Sequence, residues 1–155
     1  EIAHSHGLAL HMDGARIANA AVALGLSFKA LTADLGVDIL SFGGTKNGLL
    51  FGEAVVVLNP RYAEDAPYLR KTRLQLASKM RFIGAQYEAY LSQGIWRRNA
   101  QASNGAAARL AGLLAARPRV RVVNKVEINA LFAGEALGNR CHFLGNGGWL
   151  GGRDG

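Results

Sequence analysis

The chain has 155 residues, of which 50% are hydrophobic, so it can form one domain with a sizeable core and is not disordered. Its 18 Lys and Arg exceed its 11 Asp and Glu, which favours sites for small anions; without a basic tract interleaved with aromatics, nucleic-acid binding is disfavoured. A single cysteine, Cys141, excludes an internal disulfide and fits a reducing compartment. No apolar run is long enough to span a membrane. We therefore expect a cytoplasmic protein.

Residues 1–60 predict an α/β sheet. Strands are expected at 8–13, 37–42 and 53–60, because each is a short run of aliphatic or β-branched residues. Residues 14–25 keep helical spacing up to Gly25, and Ser27 can cap a second helix over 28–36. Helical crossovers and one short turn between these strands predict a mainly parallel sheet covered by helices.

The second part of the chain is predicted to be largely helical. Apolar residues keep helical spacing over 61–101, which indicates one long connecting helix. A further helix over 105–118 precedes strands at 120–124 and 126–133, a pattern typical of a smaller α+β domain. Residues 138–155 are rich in glycine, show no periodicity and are assigned no element. We therefore predict a large domain over 1–100 and a small C-terminal domain over 101–155.

Two turns carry the chemistry, and each follows the carboxyl end of a predicted strand. "DGAR" (13–16) places an acid at the strand end and an arginine one turn into the helix. "SFGGTKNG" (41–48) places a single lysine, Lys46, among three glycines and two hydroxyl residues. Ligands of open α/β sheets bind at this edge. An acid, a lysine and phosphate donors together are the groups that pyridoxal 5'-phosphate requires.

Pyridoxal 5'-phosphate is therefore the predicted cofactor. Lys46 would bind its aldehyde, Asp13 would pair with the pyridine nitrogen, and Arg16 would donate to the phenolic oxygen. The glycines beside Lys46 are interpreted as leaving room for the cofactor ring. Ala15 is small and would let the ring lie flat. The hydroxyl group of Ser41 or Thr45 would reach the phosphate.

Each turn has a plainer interpretation when it is taken alone. "DGAR" would be a helix-capping aspartate followed by a solvated arginine, and "GGTKNG" would be a hairpin turn. Their occurrence together, in matching strand contexts, favours the cofactor. His4, His6 and His11 lack the spacing of a zinc site and are expected to be structural, so no metal site is predicted.

The segments "LHMDGARIANA" (10–20) and "DILSFGGTKNG" (38–48) together closely resemble the low-specificity threonine aldolases. These are fold-type-I pyridoxal-phosphate lyases grouped with the β-eliminating lyases. "RLQLASKMRFIGAQYEAYL" (73–91) resembles a bacterial subgroup of them, and the resemblance covers roughly residues 6–132.

The resemblance implies roles for individual residues. Lys46 would be the Schiff-base lysine, Asp13 the partner of the pyridine nitrogen, and Arg16 a cofactor contact. Residues 1–100 would be the C-terminal part of the cofactor-binding large domain, and 101–155 an incomplete small domain. The resemblance also implies that the chain forms homo-oligomers, either dimers or tetramers. In these, Lys71 or Arg81 would approach the cofactor phosphate of a neighbouring subunit.

The expected function is cleavage of L-threonine and similar β-hydroxy-α-amino acids to glycine and an aldehyde. The expected partners are an amino-acid substrate and further copies of the chain, without nucleic acid or membrane. The general base and the ring-stacking histidine would come from a segment preceding this chain, so we expect residues 1–155 alone to be inactive. Neither Arg140 nor Arg153 can be assigned as the substrate-carboxylate anchor. Another lyase, racemase or transaminase of this fold and a non-catalytic truncated remnant stay open as alternatives.

Overall fold

The computed structural model describes residues 2–135 and 141–145. In these ranges the strands are His11–Gly14 (β1), Ile39–Gly43 (β2), Glu53–Val57 (β3), Val120–Val122 (β4), Ala130–Glu135 (β5) and Cys141–Gly145 (β6). The α-helices are Ile2–Ser5 (α1), Ile17–Leu24 (α2), Phe28–Leu31 (α3), Ala66–Thr72 (α4), Met80–Ser92 (α5) and Ile95–Ala115 (α6). Short 3₁₀ helices cover Ala33–Leu35, Thr45–Asn47 and Pro60–Tyr62.

The first sheet contains the three strands expected in residues 1–60, in the order β1-β2-β3. β1 and β2 are parallel and are connected through α2 and α3, as predicted. β3 is antiparallel to β2, so the sheet is mixed rather than mainly parallel over the described residues. The physical reason is the short connection over residues 44–52, since a parallel crossover needs a dozen residues or more.

The second sheet is antiparallel throughout, in the order β4-β5-β6. Its third strand, Cys141–Gly145, lies in the glycine-rich stretch to which we assigned no element, so that assignment is wrong here. Residues 141–145 do not alternate between apolar and polar side chains, so their pattern does not predict a strand, although they pair with β5, which ends nearby at Glu135.

The prediction of one long helix over 61–101 is wrong, because the first α-helix in this range begins only at Ala66 and the helical part is then interrupted twice. Residues 73–79 are irregular, with Leu74 at a left-handed φ of 58°, and Gly94 has a φ of 65° just before α6. Left-handed residues end helices, whereas the spacing of apolar residues resumes on either side and hides the break. α6 then runs through residues 100 and 101, where we placed a domain boundary; the division into 1–100 and 101–155 stays a prediction.

Among the described residues, one face of the first sheet is packed. Leu40 and Phe42 of β2 point to that face and are 3% and 5% exposed, against Ile17 of α2 and Tyr90 of α5. Side chains alternate along a strand, so the intervening residues point to the opposite face. That face is open, and Val55 of β3 is 71% exposed there. The apolar core of the sheet therefore lies between its packed face and α2, α5 and α6.

A buried carboxylate joins the elements at the amino end of β2. Asp38 accepts hydrogen bonds from the Leu10 N–H (2.7 Å) and the Asn59 side-chain amide (2.6 Å), and lies 2.8 Å from His4 Nε2. These hydrogen bonds, above all the one from the Leu10 backbone, lower the pKa of Asp38 to about 2. α1, β1, β2 and the end of β3 thus meet at one ionised side chain, at the opposite end of β2 from the lysine turn.

Candidate active site

The two predicted turns follow adjacent parallel strands at the same edge of the sheet. Asp13 on β1 is the register partner of Ser41 on β2. Because alternate residues share a face, His11, Asp13 and Ser41 all lie on the open face of the sheet. His11 Nε2 is 2.9 Å from Ser41 Oγ, which links the two strands across that face. The structure therefore brings the acid and the strand that leads to Lys46 together, as the sequence predicted.

Asp13 organises its own turn. Its Oδ1 accepts a hydrogen bond from the Ala15 N–H at 2.9 Å, a short-range contact typical of aspartate in turns. It is not the helix cap that the plainer interpretation required, because Arg16 occupies the N-cap position of α2 and forms no side-chain cap. The side chain of Asp13 is exposed, and its Oδ2 has no hydrogen-bond partner among the described residues.

Arg16 presents a donor without a partner. Its Nε is buried, yet it makes no hydrogen bond within residues 2–135 and 141–145. A buried N–H left unpaired costs free energy, so this position suits an added acceptor oxygen. Ala15 packs its backbone against Gly43, where a Cβ would collide with the Ala15 main chain. The "DGAR" turn therefore lies directly against the strand end that precedes the lysine turn.

Lys46 lies in the 3₁₀ helix Thr45–Asn47 with its side chain exposed. The turn is fixed on one flank by the first residue of β3: Glu53 Oε2 accepts the Gly44 N–H at 2.9 Å and Oε1 accepts the Thr45 N–H at 3.3 Å. The Thr45 hydroxyl donates to the Gly52 carbonyl at 3.2 Å. Both donors of Thr45 are thus engaged within the chain, and its predicted contact with a phosphate stays a prediction.

The other flank of the lysine turn is fixed by α5 and α6. Asn47 is buried, and its Nδ2 donates to the Tyr90 hydroxyl at 2.5 Å and the Trp96 carbonyl at 2.9 Å. Asn99 Nδ2 donates in turn to the Asn47 carbonyl at 2.8 Å. Burial raises the pKa of Tyr90, so its hydroxyl stays protonated. The backbone at Lys46 is therefore held from both sides, while its amine is left exposed.

Tyr87 adds a further constraint beneath the turn. Its hydroxyl lies 3.2 Å from both the Phe42 and the Gly52 carbonyl oxygens, joining the end of β2 to the start of β3. Burial, reinforced by the negative charge of Glu53, raises the pKa of Tyr87 to about 12, so it donates as a neutral phenol. Four residues that shape this turn are not predictable from the sequence, since only tertiary packing brings them there: Glu53, Tyr87, Tyr90 and Asn99.

The glycines of the turn do not serve the purpose we assigned to them. A Cβ at Gly43 would collide with the Ala15 backbone, and one at Gly44 would collide with Leu49 and lie 2.8 Å from the Tyr87 hydroxyl. Gly48 has a φ of 106°, and a Cβ there would collide with the Asn99 amide. The interpretation of these glycines as room for a cofactor is wrong, because the chain's own atoms fill that space.

The remaining candidates lie on helices or outside the described residues. Lys71 lies in α4 and Arg81 in α5; both are exposed, and the Arg81 guanidinium lies 4.7 Å from the centre of the Phe82 ring. Arg140 and Arg153 fall outside the described residues. Within the described residues, no three His, Cys, Asp or Glu side chains are grouped so that they could hold a metal ion. Among the helices of the described part, none combines the length and apolar character needed to cross a membrane.

Comparison with known proteins identifies close relatives. The chain is 45% identical to the low specificity L-threonine aldolase of a Pseudomonas species, over 92% of this chain and 44% of that protein. It is 48% identical to the protein of the same name from Pseudomonas aeruginosa, over 81% of this chain and 36% of that protein. The chain thus spans less than half the length of these curated relatives.

The fold also matches a solved structure. The threonine aldolase of Leishmania major superimposes with a TM-score of 0.73 and 32% sequence identity, covering 84% of this chain and 38% of that one. This match confirms the predicted α/β fold of the fold-type-I class. The family described as "Beta-eliminating lyase" matches residues 1–135, and with relatives this similar, the chain belongs to the beta-eliminating lyase family.

Proposed function

We propose that the protein carrying this sequence binds pyridoxal 5'-phosphate and cleaves L-threonine and similar β-hydroxy-α-amino acids to glycine and an aldehyde. The observation that carries the proposal is the pairing of Asp13 with Ser41, which brings the "DGAR" turn against the strand end leading to Lys46. The names of the relatives support the reaction, since two proteins at 45% and 48% identity are low specificity L-threonine aldolases.

The groups left unpaired at this edge fit the cofactor. Arg16 offers a buried Nε without an acceptor, and Asp13 offers a carboxylate oxygen without a donor among the described residues. A pyridine ring with a protonated nitrogen and a phenolic oxygen supplies both complements. The exposed amine of Lys46, on a turn held from two sides, is the nucleophile that an aldehyde requires.

We assign the chain's residues the following parts. Lys46 holds the cofactor covalently, and Asp13 keeps a proton on the ring nitrogen. Arg16 binds the phenolic oxygen, Ala15 leaves a flat surface beside the ring, and Thr45 is the proposed phosphate contact. When bound, the cofactor supplies a sink for the electrons released as the substrate's Cα–Cβ bond breaks.

The carboxylate of Asp13 is central to this assignment. A negative charge beside the ring nitrogen raises that nitrogen's affinity for a proton, and it does so without reorganisation because the Ala15 N–H already orients the carboxylate. A general base, which we expect from outside this chain, would take the β-hydroxyl proton of the substrate as the Cα–Cβ bond breaks and the aldehyde is released, and glycine would form when Cα regains a proton.

The reaction is tested by product analysis with the protein that carries this sequence. With pyridoxal phosphate and L-threonine, equal amounts of glycine and acetaldehyde are expected. Lys46→Arg should lower turnover on the order of a thousand-fold or more, the scale seen when a covalent nucleophile is removed. Lys29→Arg, which keeps a positive charge beside Asp34, serves as the matched control and should retain activity. Racemised threonine or a keto acid in place of glycine would reject the aldolase assignment.

The proposal includes assembly into homo-oligomers and a cytoplasmic location. Large apolar side chains are exposed on α4, with Tyr68 at 74%, and on the segment between α4 and α5, with Leu74 at 89%, which is typical of a protein contact surface. Lys71 and Arg81 border this segment and are proposed to approach the phosphate of a neighbouring copy. A lone cysteine fits a reducing compartment. Sedimentation velocity tests the assembly, which a monomeric protein would contradict.

A further inference from the structure

We infer that Glu53 is a positioning residue that fixes the backbone of the turn carrying Lys46. The inference rests on the proposed role of Lys46, but its structural part concerns the chain alone. Glu53 is the first residue of β3 and the register partner of Gly43, the last residue of β2. The β3 strand thereby delivers a carboxylate to the residues that immediately follow its partner strand.

The carboxylate holds the start of a helix that has no side-chain cap. Gly44 is the N-cap of the 3₁₀ helix Thr45–Asn47, but it has no side chain with which to accept a hydrogen bond. The two oxygens of Glu53 accept instead from the N–H groups at the very start of the helix, from Gly44 at 2.9 Å and from Thr45 at 3.3 Å. Hydrogen bonds from N–H groups to an ionised acceptor are roughly twice as strong as neutral ones.

Close packing requires a glycine at position 44. A Cβ at Gly44 would collide with Leu49 and lie 2.8 Å from the Tyr87 hydroxyl, so no Ser, Thr, Asp or Asn can cap the helix from there. Close packing against α5 therefore excludes a local cap, and the acceptor must come from another element. Glu53 meets that requirement, although glutamate is depleted in strands.

The backbone at Lys46 is held on both sides, by Glu53 and by the Asn47 side chain. Glu53 holds the residues before the lysine, and the Asn47 side chain holds the residue after it through Tyr90 and Trp96. The exposed lysine side chain then moves about a fixed Cα. Placing a reacting group accurately accounts for a large part of a rate, and a displacement of about 1 Å costs on the order of a hundred-fold.

The test compares Glu53→Ala and Glu53→Gln with a matched control, Glu64→Ala, at an exposed glutamate on the loop after β3. Backbone amide exchange is measured residue by residue in the cofactor-free protein that carries this sequence. We expect the Gly44 and Thr45 amides to exchange about ten-fold faster in Glu53→Ala, and less so in Glu53→Gln, which keeps one acceptor oxygen. The amides of residues 54–56 should exchange as in the wild type.

A second measurement reports on the lysine itself. The rate at which an amine-reactive acylating reagent modifies Lys46 is followed by peptide mapping, again without cofactor, and we expect it to change in Glu53→Ala but not in Glu64→Ala. Unchanged exchange at Gly44 and Thr45, or faster exchange throughout β3, would overturn the inference. Covalent binding of pyridoxal phosphate is scored separately in the wild type. Its absence there would reject the proposed function and leave the positioning of the turn to be judged by exchange alone.

Discussion

The two faces of the first sheet differ in composition and in what they contact. On the packed face, Leu40 and Phe42 are buried against α2 and α5. On the open face, Asp13 is exposed, His11 contacts Ser41, and Val55 is 71% exposed. One set of residues holds the sheet against its helices, and the other presents polar groups at the edge where the lysine turn begins. The residues that form the core and the candidate site residues thus lie on opposite faces of the same strands.

This division explains why the "DGAR" motif tolerates an exposed carboxylate. Gly14, which follows Asp13, points to the packed face, where a Cβ would lie 2.6 Å from Leu40 Cδ1. The glycine therefore keeps β1 close to β2, while its neighbour faces outward. Alternation along a single strand is sufficient to separate the packing requirement from the chemical one.

The open face should show its largest effect through Asp13. Asp13→Asn keeps the side chain's size but removes the charge that would hold a proton on the cofactor ring, so we expect turnover of threonine to fall about a hundred-fold or more. Acetaldehyde release at saturating pyridoxal phosphate measures the loss. Asp34→Asn, at a carboxylate paired with Lys29, is the control and should cleave threonine normally. Near-normal turnover in Asp13→Asn would show that the carboxylate only shapes its turn.

The packed face should dominate stability. Leu40→Ala removes a side chain that is 3% exposed and should lower the free energy of unfolding by about 2–5 kcal/mol through lost burial and a cavity. Val55→Ala, at a residue 71% exposed on the open face, should change it by less than about 0.5 kcal/mol. Chemical denaturation of the protein that carries this sequence compares the two. Equal losses would mean that the open face is packed as tightly as the other.

The smallest expected effect is a change in the free energy of unfolding at acidic pH, and it comes from Asp38 at the amino end of β2. The folded-state pKa of Asp38 is about 2, below its ordinary value of 3.8, so its ionised form stabilises the fold above about pH 4. That contribution is lost as the pH falls from about 4 towards 2. The difference in unfolding free energy between the wild type and Asp38→Asn should therefore narrow over this range. A difference independent of pH would contradict the role given to the charge.

The sequence predicted the three strands of the first sheet but not the antiparallel direction of β3, and it predicted the surroundings of the sheet poorly. β1 and β2 were predicted because their aliphatic runs end at turns with recognisable chemistry, and the roles of Asp13 and Lys46 in those turns stay predictions. The break at Leu74 was missed, since helical spacing continues on both sides of it. Glu53 and Asn99 were missed because only folding brings β3 and α6 to the lysine turn. Residues within a sequence motif can be predicted from its pattern, whereas residues that contact the motif only in the folded chain cannot.

The central claim is that Lys46, on a turn fixed from two sides at the edge of the open face, holds pyridoxal phosphate. Borohydride reduction of the cofactor-loaded protein, followed by peptide mapping, tests it most directly. We predict that the pyridoxyl group is found on Lys46 and is lost in Lys46→Arg, while Lys29→Arg is labelled as the wild type. A label on any other lysine, or no label under conditions in which threonine is cleaved, would contradict the account.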